Sequence, residues 1–211
     1  MNEVTAAEAL ERLKSGNARY RSDKVGGSTT TSVHRNLSAG QAPVACVVTC
    51  SDSRVSPELI FDQSPGDLFV IRVAGHVCDD AALGSIEYAA LHLGVRLVVV
   101  MGHHNCGAVE AAVQNADFDG PSTHSHIDAL IQAIRPAVLH AAGAGGSGDL
   151  GGSGDSGDAG DLLDASIRQH ARMVATQIRD SQPVLADIAA KDLRVIPAYY
   201  DLRSGEAEVL D

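Results

Sequence analysis

Val44-Ala45-Cys46-Val47-Val48-Thr49-Cys50-Ser51-Asp52-Ser53-Arg54 is the stretch from which the fold of this 211-residue chain is read. Its first half is apolar and β-branched and follows Pro43, the pattern of a short strand buried on both faces. Its second half sets a thiol, a carboxylate and a guanidinium two residues apart where that strand ends. A second apolar run, Leu97-Val98-Val99-Val100, leads in the same way into Gly102-His103-His104-Asn105-Cys106-Gly107. Strands buried on both faces belong to parallel sheets, and in an open parallel sheet ligands bind at the edge where the strands' carboxyl ends emerge. The two stretches, about fifty residues apart, are therefore expected to converge on one site.

Working outward, helical and strand patterns alternate, which is the signature of an α/β fold with right-handed crossovers. Thr5-Ala6-Ala7-Glu8 has the form of a capping box, and Ala9, Leu10, Leu13 and Ala18 follow at helical spacing, so a helix is expected to about Tyr20. Pro57 to Phe61 suits a short helix and Leu68 to Val73 a second strand. Ala81 to Leu93 carries Ala82, Ile86, Ala89 and Ala90 on one side and is closed by Gly94. Cys106 to Asn115 reads as a helix, and Ile127 to His140 as one interrupted near Pro136. Asp164 to Ile178 is helical, Pro183 starts another helix, Leu193 to Tyr200 is a fourth strand, and Glu208 to Leu210 a last short one. The expected fold is a central, mostly parallel β-sheet of four strands plus a short C-terminal antiparallel edge strand, flanked by helices, with an N-terminal helical arm. A single domain spans 1–211, with the arm at about 5–36 and a flexible Gly-rich insert at about 143–160, where nine glycines leave little to bury.

A chain of this length buries roughly 70% of the surface its unfolded form exposes. Sixteen basic residues against 27 acidic give a net charge of −11, which disfavours nucleic acid and anionic membranes as partners. The N-terminus lacks a basic start and an apolar core, and no window approaches eighteen uncharged apolar residues, so a cytoplasmic location is expected. Four cysteines are too few for a disulfide scaffold in a chain this long. Cys46 and Cys78 read as core thiols. A disulfide from Cys50 competes with a metal role for that residue, and a reducing compartment disfavours it. His124 and His126 read as an exposed polar turn, since no third ligand stands near them.

Cys50, His103 and Cys106 form a Cys₂His set, and three protein ligands with a fourth position open is the arrangement of a catalytic zinc. Zinc there would lower the pKa of water from about 15.7 toward about 7. Asp52 could itself take the fourth position and close the site. Arg54 is the counterweight, because a bidentate guanidinium holds a carboxylate strongly and can draw it off the metal. Cys106 and Gly107 stand at the start of a helix, where free N–H groups favour anions.

Cys50-Ser51-Asp52-Ser53-Arg54, Gly66-Asp67-Leu68-Phe69-Val70-Ile71-Arg72, Gly84-Ser85-Ile86-Glu87-Tyr88-Ala89 and Gly102-His103-x-x-Cys106-Gly107, in that order, together resemble a β-class carbonic anhydrase. The resemblance runs from about Ala6 to the C-terminus apart from the Gly-rich insert. It implies zinc-dependent reversible hydration of carbon dioxide to bicarbonate and a proton, by zinc-bound hydroxide that an Asp52–Arg54 dyad orients. It implies Zn²⁺ on Cys50, His103 and Cys106, with Asp52 as a conditional fourth ligand. Substrate contacts are implied for Gln41, Phe69, Tyr88 and the Gly107 amide, with Gln41 serving the neighbouring subunit's pocket. The family further implies a homodimer or a higher even oligomer such as a homotetramer. In some members the N-terminal helix wraps a partner, although this helix suits packing on its own sheet equally well.

Arg72-Val73-Ala74-Gly75-His76 departs from the Arg-Asn-Ala-Gly-Asn usual in the family. His76 reads there as a loop histidine held by hydrogen bonds, with a proton carrier at the pocket rim as the alternative. His104, beside a ligand, is a candidate proton relay. Two other functions stay open: hydrolysis of carbonyl sulfide or carbon disulfide on the same fold, and a non-catalytic, zinc-stabilised interaction protein with Asp52 as permanent fourth ligand.

Overall fold

The computed structural model describes residues 4–26, 38, 40–116, 125–144 and 156–211. In chain order the elements are α1 (Ala6–Arg21), β1 (Ala45–Thr49), α2 (Pro57–Ile60), β2 (Leu68–Arg72), a 3₁₀ turn (Ala74–His76), α3 (Asp80–His92), β3 (Leu97–His103), α4 (Gly107–Gln114), α5 (His126–Ala144), α6 (Ser156–Asp180), α7 (Val184–Ala189), β4 (Arg194–Tyr200) and β5 (Ala207–Val209). The strands form one sheet in the order β2-β1-β3-β4-β5. The first four are parallel and β5 runs antiparallel to β4, as the sequence leads one to expect.

Strand periodicity divides the core into two layers. Cys46 and Val48 of β1 and Val98 and Val100 of β3 face one side, where α3, α4, α5, α6 and α7 contribute Ile86, Val109, Ile134, Ile167 and Leu185. Val47, Leu97, Val99 and Met101 face the other side, covered by Ala9, Leu10 and Leu13 of α1 and by Ile60 of α2. Both central strands are buried along their whole length, which explains why their sequences are continuous apolar runs.

The Thr5 side chain accepts from the Glu8 amide at 3.3 Å while the Glu8 carboxylate accepts from the Thr5 amide at 2.9 Å, closing the capping box of α1. This helix lies on the sheet of its own chain. Asn17 fastens it, donating to the carbonyls of Ile60 at 3.1 Å and Gly205 at 2.8 Å and accepting from the Ala207 amide at 3.0 Å. Gly16 permits the approach, since a Cβ there would stand 1.8 Å from the Phe61 carbonyl oxygen.

Two boundaries differ from the sequence reading. α5 runs through Pro136 without interruption, because Ile134, Ala137 and Val138 around it are buried and tertiary packing outweighs the lost amide. Helix also enters the Gly-rich stretch from both sides, α5 reaching Ala144 and α6 starting at Ser156; residues 145–155 lie outside the described part. Among the described residues no helix is long and apolar enough to cross a membrane.

Candidate metal centre

β1 and β3 are neighbours in parallel register, with Thr49 opposite Met101, so Cys50 and His103 leave the sheet side by side at its carboxyl edge. The chain then turns through Asn105, at φ 53°, to Cys106, which caps α4. Cys50, His103 and Cys106 are all buried, and their ligand atoms lie within 4.8 Å of one another. No other group of three His, Cys, Asp or Glu among the described residues could hold a metal ion.

The donor chemistry fits a thiophilic cation. His103 Nδ1 faces the His104 carbonyl at 2.9 Å, which fixes the proton on that nitrogen and leaves the Nε2 lone pair directed into the cluster. That Nε2 is buried and has no protein partner, a costly state for a polar atom unless it meets a ligand. The two sulfurs are 4.0 Å apart. The thiol of Cys106 donates to Cys50 and holds the Cys50 pKa down to about 4; the amides of Asp52 and Gly75, 3.4 and 3.3 Å from the sulfur, act in the same direction. Cys106 is pushed up because it keeps the shared proton and is buried. A bound cation would displace that proton and make both sulfurs thiolates.

Asp52 stands beside the cluster, its Oδ2 3.9 Å from His103 Nε2. Arg54 grips it in a fork: Nε and the backbone amide donate to Oδ1, each at 2.9 Å, and Nη2 donates to Oδ2 at 2.7 Å. These bonds hold the carboxyl well below the usual carboxylate range. Arg54 also donates to the Asn105 carbonyl at 3.2 Å, joining the two strand-end loops. Arg72, at the end of β2, donates to the carbonyls of Cys50 at 3.1 Å and Asp52 at 2.6 Å and so braces the first loop from the other side. Gly107 opens α4, and a Cβ built on it would meet nothing within 4 Å.

The remaining sequence candidates lie elsewhere. Gln41 is exposed before β1, whereas Cys50 follows that strand. Phe69 is in register with Cys46, four positions and about 13 Å of strand short of Cys50. Tyr88, 48% exposed on α3, has its ring 6.2 Å from that of Phe69. Phe69, in the outer strand, and Tyr88, beside it, thus lie apart from their own chain's Cys₂His cluster. His104 is half-buried, with its amide donating to the Tyr200 carbonyl at 2.8 Å. His126 is exposed at the start of α5, and His124 lies outside the described residues. His76 corrects both readings made of it: it is fully buried, so it is not at a rim, and neither ring nitrogen has a protein hydrogen-bond partner. Cys46 and Cys78 are buried free thiols, raised by desolvation, Cys78 to about 12.

The sequence reading gives neither Arg72 nor the Gly75 amide a role at the metal centre. A strand ending in arginine was visible in Leu68-Phe69-Val70-Ile71-Arg72, but a backbone donor carries no side-chain signal.

Fold and site together define an α/β protein with a Cys₂His centre at the carboxyl edge of a parallel sheet. The carbonic anhydrase family profile matches residues 45–207. Carbonic anhydrase 2 of Mycobacterium tuberculosis is 36% identical over 213 residues, covering 100% of this chain and 96% of that one. The carbonic anhydrase of Mycolicibacterium smegmatis is 34% identical over 203 residues, covering 95% and 91%. A solved structure described among two tetrameric β-carbonic anhydrases of Sordaria macrospora superposes with a TM-score of 0.71 over 95% of this chain and 96% of that one; at 22% identity it speaks to the fold alone. The chain belongs to the carbonic anhydrase family of enzymes, in its β class.

Proposed function

We propose that the chain catalyses the reversible hydration of carbon dioxide to bicarbonate and a proton, with Cys50, His103 and Cys106 holding Zn²⁺. The observation that carries this reading is the buried, unpartnered His103 Nε2 facing two thiols, with an ionised carboxylate 3.9 Å away. Zinc bound there supplies Lewis acidity that makes water nucleophilic near neutral pH. Asp52 is the catalytic acceptor: ionised throughout the neutral range, it takes the O–H of the attacking water at a carboxylate oxygen and points the oxygen lone pair at the carbon. Arg54 keeps that carboxylate in place and off the metal, so the fourth position stays available to water. The free Gly107 amide at the α4 N-terminus favours the oxygen on which negative charge develops.

The apolar contacts come from a second copy. Phe69 lies in β2 and Tyr88 beside it; β2 is an outer strand of the sheet, its residues 69–71 are half-buried, and Leu59 and Leu91 are exposed on helices that contact it. Among the described residues nothing pairs with the outer side of β2, and an uncovered parallel edge with an apolar border calls for a partner. A homodimer or homotetramer covers it and carries Gln41, Phe69 and Tyr88 to the neighbouring subunit's centre. The four unpaired cysteines suit the cytoplasm.

Stopped-flow hydration of carbon dioxide by zinc-loaded protein tests the assignment, with Asp52→Asn as the control. The wild type is expected to be active and the variant to lose about 100-fold or more while keeping its zinc. Full activity in Asp52→Asn would remove the proposed role of the carboxylate.

A further inference from the structure

Next to the metal centre, against Gly102 of β3, lies a polar cluster that the mechanism does not use. His76 is 0% exposed and His170, on α6, is 3% exposed; their rings sit 4.6 Å apart at 46°. His170 lies against the backbone of Gly75, its Nε2 is buried without a protein partner, and both nitrogens of His76 are in the same condition. Three buried ring nitrogens without protein partners in one place are costly unless ordered water meets them.

The turn that carries His76 is tightly enclosed and conformationally demanding. Gly75 and His76 both have positive φ, 65° and 47°, and the left-handed region is unfavourable for a histidine unless its surroundings hold it there. Any Cβ on Gly75 would stand 2.6 Å from Ile134 Cδ1 and 3.1 Å from Ala108 Cβ. The imidazole of His76 occupies the space opened by Gly102 of β3, where a Cβ would come within 3.2 Å of His76 Cε1. The same turn delivers the Gly75 amide to Cys50 Sγ at 3.3 Å.

We propose that His76 and His170, joined through buried water, are positioning residues for the metal-bound thiolate: they clamp the 73–76 turn so that the Gly75 amide stays on Cys50 Sγ. This rests on Cys50 being a metal ligand. The clamp explains why a strained turn is kept at this position and why α6 carries a buried histidine packed against its imidazole. An amide bond to a thiolate lowers its electron donation to the metal, so loosening the clamp changes the metal–sulfur bond itself.

The test is made on full-length protein loaded with cobalt(II) or zinc(II), comparing wild type with His76→Leu, His170→Leu, His76→Asn and His170→Asn. Asparagine tolerates the left-handed conformation at position 76, and at 170 its amide keeps a polar group facing the turn. The thiolate-to-cobalt charge-transfer band is expected to move to longer wavelength in both leucine variants. Both asparagine variants are expected to return toward wild type. A wild-type band with no shift in either leucine variant overturns the clamp, as does a shift that asparagine fails to reverse at both positions. A wild type that shows no thiolate–cobalt band at all removes the metal reading and the clamp with it.

Discussion

Acidification should destabilise this protein through His170 in a way that can be calculated. The buried ring has its pKa lowered to about 4, chiefly by desolvation, against an ordinary value of 6.5. A histidine lowered in the folded state binds more protons when unfolded, so its contribution to stability is complete above about pH 6.5 and is lost as pH falls toward the folded value. Between pH 8 and pH 5 the linkage relation gives a loss of about 2 kcal/mol for this one group. His76 is shifted in the same direction by burial and by the neighbouring His170, so it steepens the wild-type curve further. The assay is urea unfolding of zinc-loaded wild type and His170→Asn at pH 8, 7, 6 and 5. Zinc release and the other titrations are common to the two proteins except that of His76, which His170 helps to shift, so the difference reports His170 together with its effect on His76. Expected is a variant curve flatter by about 2 kcal/mol across that interval. Parallel curves would refute the argument, since they would mean that His170 is solvated or charged in the folded protein.

Three further outcomes follow from the geometry. Arg54→Ala frees Asp52 from its fork; zinc content should stay unchanged while hydration activity falls about 10-fold or more, read by stopped flow with metal analysis, because the carboxylate loses its orientation and can close the site. Leu13→Ala removes a nearly fully buried side chain from the layer between α1 and the sheet and should cost about 2–5 kcal/mol in urea unfolding without changing zinc content. In native protein freed of metal by a chelator, iodoacetamide at pH 7 should label Cys50 well ahead of Cys46 and Cys78, as mapped by peptide mass spectrometry: the first thiol is lowered to about 4, whereas the other two are raised by burial.

The strands and the metal triad were legible from local pattern because each rests on local physics. A doubly buried strand must be apolar on both faces, so Val44 to Val48 and Leu97 to Val100 announce themselves. Parallel pairing then forces their ends to one edge, which brings Cys50 to His103 without knowledge of the rest. Asp52 and Arg54 are two residues apart, and a fork between them needs only a turn. By contrast, the uninterrupted α5 was hidden because the cost of Pro136 is local while the burial that offsets it comes from other helices.

By itself, then, the amino-acid sequence determined the α/β class, the converging strand ends, the three candidate ligands and the carboxylate beside them, since all of these follow from hydrophobic period, spacing and side-chain chemistry. The tertiary structure alone decided where His76 goes, that His170 meets it, and that Arg72 and the Gly75 amide brace the loop of Cys50. These contacts join residues 20 to about 100 positions apart through backbone groups and buried rings, and neither leaves a periodic trace in the chain. It also decided that Phe69 stands away from its own chain's centre, because a strand's register places a residue along its length, and only the assembled sheet shows that β2 is an edge strand.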